Sequence, residues 1–209
     1  MRQSVKSAIA IAMFCASTAT AVPATARDKA SHPSVPLAWE KQHPERKPWS
    51  IALRAEIGKK LDDFDRATDL DLYCPRYRKL STDDRVSAIA AMAVAIAKFE
   101  SGYNPKQHFG EPPPLGYDSI GLFQLSYEDG FKWCELDRGK KSLEDPINNI
   151  RCAVPEMARL IAKDGVVAAG TDKASAQGLA RYWSVVREGA KHHLQAIRTI
   201  TASSPFCRR

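Results

Sequence analysis

The sequence predicts a mainly α protein, with room for one very short β element. Three observations carry that prediction. Beyond residue 50 nearly all the apolar periodicity runs in steps of three and four. Helix signals punctuate those stretches: Ser81 with Asp84, Asp145-Pro146, and glycines at 102 and 165. No internal repeat or low-complexity segment interrupts them. The 209 residues suffice for one domain with a sizeable core, and 44% hydrophobic with 26% charged residues is ordinary for a globular chain.

Residues 1–26 have the layout of a secretory signal. Arg2 and Lys6 precede an apolar run from Ala8 to Cys15, and small residues then lead to Ala24-Thr25-Ala26. Cleavage is expected after Ala26, with Ala21 as the alternative. The run is too short for a mature membrane anchor, so no stable membrane insertion is expected. The protein is expected to be exported, either periplasmic or secreted. Cys15 offers a lipoprotein alternative, weakened by Met13 and Phe14 where small residues are usual. Residues 27–50 hold Pro33, Pro36, Pro44 and Pro48 among charged residues and read as an extended arm, on which Trp39 and Trp49 could dock. Residues 51–209 are the domain.

From Ile51 to about Thr68 the spacing predicts an amphipathic helix with Ile51, Leu53, Ile57, Leu61 and Phe64 inward, ended before Cys74-Pro75. The next helix opens on a capping-box spacing at Ser81 and Asp84. From Ser87 to Ala97 it has no charged residue. Val86, Ile89, Ala93, Ile96 and Glu100 fall on one stripe, so the helix is expected to be central. Gly102 ends it. Residues 104–121 are irregular, stiffened by Pro112-Pro113-Pro114; a short strand or helix start follows over 119–125. Asp145-Pro146 starts a helix that ends at Gly165, and Pro155 should kink or split it. Thr171 or Asp172 should cap a further helix through about Val186, and a last helix runs from Ala190 to about Thr201.

Removing residues 1–26 takes away two basic residues and no acidic one, so the formal charge falls from +7 to +5. A modestly basic exported protein suits an acidic polymer. The basic residues are scattered and no nucleic-acid motif is present, so nucleic acid is not an expected partner. Four cysteines remain in the exported chain: Cys74, Cys134, Cys152 and Cys207. They allow three disulfide pairings. The favoured one is Cys134–Cys152, closing a loop beside the candidate site, with Cys74–Cys207 tying back the tail. No Cys-x-x-Cys spacing exists and the histidines are scattered, so neither metal nor cofactor is expected.

Glu100 is the leading catalytic candidate. It continues a buried stripe at the negative end of a helix. Burial and the dipole both disfavour its ionised form, as a general acid near neutral pH requires. A surface Glu fraying from the helix end is the alternative on periodicity alone.

Four short motifs then fall in order: Glu100-Ser101-Gly102-Tyr103-Asn104-Pro105, Gly121-Leu122-Phe123-Gln124, Asp145-Pro146-Ile147-Asn148-Asn149-Ile150, and Ala180-Arg181-Tyr182. Together the motifs resemble the catalytic domain of the lytic transglycosylases, which are similar to goose-type lysozymes. Two departures stand out. Trp183-Ser184-Val185 follow Tyr182 where Asn-Ala-Gly is usual, and Cys152-Ala153 stand near the place of a customary glycine.

The resemblance implies a lysozyme-like fold and cleavage of the bond between N-acetylmuramic acid and N-acetylglucosamine in peptidoglycan glycan strands. Glu100 would be the acid and then the base. The substrate's acetamide would assist, leaving a 1,6-anhydro end without a second enzyme carboxylate, an exception to the two-carboxylate scheme. Gln124 and Tyr182 would meet substrate, and Tyr117, Ser119, Ser101 and Asn149 are further substrate-binding candidates. Ser101 and Asn149 are expected to serve mainly in local structure. The alternatives are a hydrolytic muramidase, using Glu111 or Asp118 to orient water, and a non-catalytic wall-binding or assembly protein. A monomer is expected, and by analogy a secretion or conjugation machine is a possible partner. Trp133 and Trp183 are expected in the core rather than as sugar platforms.

Overall fold

A computed structural model describes residues 35–114 and 116–208. The signal segment 1–26 and residues 27–34 of the arm lie outside the described residues. Two disulfides are present, which fits an exported protein. Among the described residues no helix is long and apolar enough to cross a membrane.

The arm was expected to be extended, but from residue 35 on it is folded onto the body. Two 3-10 turns, Ala38–Glu40 and Pro44–Arg46, lead directly into helix α1, Lys47–Lys59. Trp39 explains the docking. Its ring is buried, packs edge-on against Trp49 and Tyr103, and donates its indole N–H to Ser50 Oγ at 2.7 Å. A buried indole needs such a partner. The predicted helix 51–68 is shorter than expected. It divides into α1 and the single turn α2, Leu61–Phe64. Leu53, Ile57, Leu61 and Phe64 face inward as expected, whereas Ile51 is exposed.

Helix α3, Thr82–Ser101, is the central element. Ser81 Oγ accepts from the Asp84 N–H, and Gly102 closes the helix at φ 60°. Every residue from Met92 to Ala97 is buried, in agreement with the uncharged run. Alanines at positions 88, 90, 93, 95 and 97 let α1 and α5 approach its backbone.

Strand β1, His108–Gly110, pairs antiparallel with β2, Asp118–Ile120. This is the one short β element that the sequence left room for. Helix α4, Pro146–Asp164, starts on an Asp145 cap that accepts from the Asn148 N–H and ends at Gly165, φ 70°. Pro155 neither ends nor splits it. The carbonyl that Pro155 leaves without a donor belongs to Arg151, which is exposed, so water can satisfy it.

The helix expected over 171–186 is absent. In its place β3, Ala168–Ala169, pairs with β4, Gln177–Gly178, and two 3-10 turns follow, Leu179–Arg181 and Ser184–Val186. Asp172 caps a turn instead of a helix: its carboxylate accepts from the N–H groups of Ala174 and Ser175 and from Ser175 Oγ. Gly170 and Gly178 hold positive φ, where an added Cβ would come within 2.4 Å of a backbone oxygen. Helix α5, Leu194–Ala202, begins four residues later than expected. The favoured cysteine pairing is the one present, Cys74–Cys207 and Cys134–Cys152.

Candidate functional site

The last turn of α3, the β1–β2 hairpin and the 179–187 segment surround a cleft of about 400 Å³. Glu100, Glu111, Tyr117, Ser119, Gln124, Asp129 and Tyr182 line it together with Lys173, Arg181, Trp183, Ser184 and Arg187.

Glu100 sits one turn beyond the last fully buried stretch of α3, half-buried at the cleft wall. Its carboxyl makes no hydrogen bond among the described residues. Burial, and then the negative charge of Glu111, push it up to about 8. It is therefore protonated at neutral pH and, among the described residues, has no acceptor for its proton.

Glu111 leaves β1 at the point where its N–H donates to Tyr117 O at 2.9 Å. Ser119 Oγ donates to Glu111 Oε1 at 2.7 Å, which orients the carboxylate. The hairpin thus delivers a second acid to the cleft, close enough to perturb the first.

The Gly-Leu-Phe-Gln turn is what the rest of the motif set supports. Gly121 has φ 79°, and a Cβ there would sit 2.4 Å from both Asn149 Nδ2 and Leu143 O. Asn149 is completely buried. Its Oδ1 accepts from the Phe123 N–H at 3.0 Å, and its Nδ2 donates to Ile120 O and Leu143 O. Ser101 Oγ lies within hydrogen-bond distance of two carbonyls, Ala97 O at 3.1 Å and Leu122 O at 2.9 Å. Ser101 and Asn149 do not line the cleft; they have the local structural role expected to be their main one. They pin the turn to α3 and α4. Gln124 does line it, in the left-handed region at φ 47°. Its amide nitrogen donates to Gly121 O and Gln107 O, which leaves its amide oxygen for a ligand. Backbone held in a sparsely populated region often marks a functional site.

On the opposite wall Tyr182 donates its hydroxyl proton to Asp129 Oδ2 at 2.5 Å. Burial, then the Asp129 charge, push the phenol well above its ordinary value. Burial raises Asp129 as well, against the hydrogen bonds it accepts from Tyr182 and the Ser126 N–H. Trp183 is buried and donates to Phe123 O at 2.9 Å, so it fixes the same turn from below, in agreement with the core expectation. Trp133 departs from that expectation: 44% of it is exposed.

Of the predicted residues, Glu100, Tyr117, Ser119, Gln124 and Tyr182 meet in one cleft. Asp118, one of the two carboxylates considered for orienting water, is exposed and faces His108 at 3.8 Å, whereas Glu111 enters the cleft. Sequence reasoning missed Asp129 and the basic residues Lys173 and Arg187, and quoted Arg181 in a motif without giving it a role. Asp129 precedes Gly130, which reads as a turn signal, and the basic residues fall in a segment predicted as helix.

No protein-family model matches the chain, and no curated protein does. Solved structures of Bd0314 DslA do match. The wild-type form is 29% identical, aligned over 83% of this chain and 98% of that one, with a TM-score of 0.69. A Glu-to-Gln mutant of it is 28% identical over 84% and 100%, with a TM-score of 0.70. A second Glu-to-Gln mutant, substituted 11 positions further along, matches at 29% and 0.69.

Proposed function

We propose that this chain has a lysozyme-like fold and is an enzyme that cleaves the β-1,4 bond between N-acetylmuramic acid and N-acetylglucosamine in peptidoglycan, with Glu100 as general acid. The observation that carries the reading is the state of Glu100: protonated at neutral pH, half-buried on a cleft wall, and without a hydrogen-bond acceptor among the described residues. A carboxylic acid in that condition can protonate a glycosidic oxygen. The ordered motif set, and the cleft formed by Tyr117, Gln124 and Tyr182 around the acid, support a polysaccharide substrate.

Two outcomes share that first step. In the lyase outcome, which the motif resemblance favours, the sugar's own C6 hydroxyl attacks and an anhydro end forms. A specific observation favours the second, hydrolysis. Glu111 stands in the same cleft, oriented by the hydrogen bond it accepts from Ser119, where its carboxyl can hold a water and take a proton from it. The two Glu-to-Gln positions of Bd0314 DslA are 11 apart, and so are Glu100 and Glu111. That agreement supports treating the two acids as a pair.

Mass spectrometry of digested peptidoglycan separates the outcomes. Reducing ends support hydrolysis and anhydro ends support the lyase. Sacculi that sediment with the wild-type protein but release no fragments would favour a non-catalytic wall-binding protein, and release from chitin alone would move the substrate to a related polymer.

A further inference from the structure

A second cavity, of about 530 Å³, lies away from the acid pair, bounded by Glu56, Lys59, Lys60, Trp133, Arg151 and Pro155. Trp133 is one of its walls and is an unusual surface tryptophan. Its indole N–H donates to Cys152 O at 3.0 Å, so the ring cannot swing. The Cys134–Cys152 disulfide anchors the neighbouring residue to the same point of α4. Phe131 stacks on the indole at 4.9 Å between centroids and 24° between planes. An exposed, immobilised aromatic face with its polar edge already satisfied is a platform for a flat apolar surface, such as a sugar ring's C–H face.

Once the Glu56–Lys59 pair is set aside, the charges around it have one sign. Lys59 is paired with Glu56 at 2.7 Å, so those two cancel. Lys60 and Arg151 are exposed and have no ion-pair partner among the described residues. The platform is also joined to the cleft. The Phe131 ring is 6.5 Å from that of Tyr182, and Tyr182 lines the same cleft as Glu100.

We infer that this groove is an accessory binding site for an anionic glycan. A hexosamine ring lies on the Trp133 indole, and carboxylates of the sugar's lactyl or peptide substituents face Lys60 and Arg151. The inference rests on peptidoglycan being the polymer that the cleft engages. Its role is to hold the strand beside the cleft. It therefore affects capture of the insoluble polymer and leaves the chemical step alone.

The test uses the full chain. Binding to purified sacculi is measured by sedimentation for Glu100→Gln, which retains the polymer uncut, and for the same protein carrying Trp133→Ala or Arg151→Glu. Each added substitution should weaken binding about fivefold or more, with the Arg151→Glu difference shrinking as salt is raised. In the wild-type background both should leave the turnover of a short soluble fragment unchanged, and Arg151→Glu should also leave the melting temperature unchanged. Unchanged sacculus binding in both variants, with wild-type cleavage intact, overturns the accessory site and leaves the catalytic reading standing. If the wild type neither cuts nor sediments with sacculi, the reading of the polymer falls, and this inference falls with it.

Discussion

Tyr182 and Asp129, both on the cleft lining, are joined by a 2.5 Å hydrogen bond between residues 53 positions apart. The bond joins the 179–187 segment to the turn that follows the Gly-Leu-Phe-Gln motif. It also offsets the burial that raises the Asp129 carboxyl. Tyr182→Phe removes the donor and leaves a buried acceptor short of a partner, at a cost of about 1–3 kcal/mol. The expected result is a lower melting temperature together with about tenfold lower kcat/KM on peptidoglycan. Thermal unfolding and initial-rate assays check it, and a Tyr182→Phe protein with wild-type values in both would contradict it.

Glu111 sets part of the acidity of Glu100, because its negative charge adds to burial in pushing Glu100 up to about 8. Cleavage that needs protonated Glu100 should decline as pH rises through about 8. Glu111→Gln removes the repelling charge, so Glu100 ionises more readily and the alkaline limb of any residual activity should move to lower pH. A pH–rate profile of the two proteins on one substrate measures this shift; an unmoved limb would show that Glu111 does not act on Glu100.

The same acidity acts on stability. The folded chain holds the Glu100 proton up to about 8, whereas the unfolded chain releases it near the ordinary 4.5. Between those values the folded state binds more protons, so this group's contribution to stability is complete below about 4.5 and is lost as pH rises to about 8. Glu100→Gln cannot ionise. Its melting temperature relative to wild type should therefore increase from pH 5 to pH 9, as read by calorimetry.

Asn149 illustrates what was and was not legible in the sequence. Its motif pointed to the site and a mainly structural role was expected, but which backbone groups its amide serves, those of the 120–123 turn and Leu143 O, is visible only in the structure. Asn149→Ala strands the buried Phe123 N–H, at about 2–3 kcal/mol. That predicts a melting temperature lower by roughly 4–10 °C.

Local signals were reliable where one residue type has one use. The Ser81 and Asp145 caps, the glycines at 102 and 165 and the uncharged run of α3 all mark what the structure contains. They failed where a signal has two uses. Asp172 caps a turn as readily as a helix, and the glycines at 170 and 178 decide for the turn only through close backbone contacts, with residues 175–176 and 166–167, that exist once the hairpin has formed. Ile51 fits a helical stripe, yet the chain around it leaves it in solvent. The pairing of Glu100 with Glu111, and that of Tyr182 with Asp129, depend on how the hairpin and the 179–187 segment fold back. No periodicity reports that. The exposure of Trp133 is likewise set by its bond to Cys152 O and not by its neighbours in sequence.

The most direct test is the rate at which Glu100→Gln releases soluble fragments from purified sacculi near pH 6, compared with wild type. The glutamine matches the carboxyl in size and carries no transferable acid proton, so the rate should fall about 10²- to 10⁴-fold while the fold stays intact. A variant that still digests sacculi at the wild-type rate would show that the chemistry does not begin with this proton.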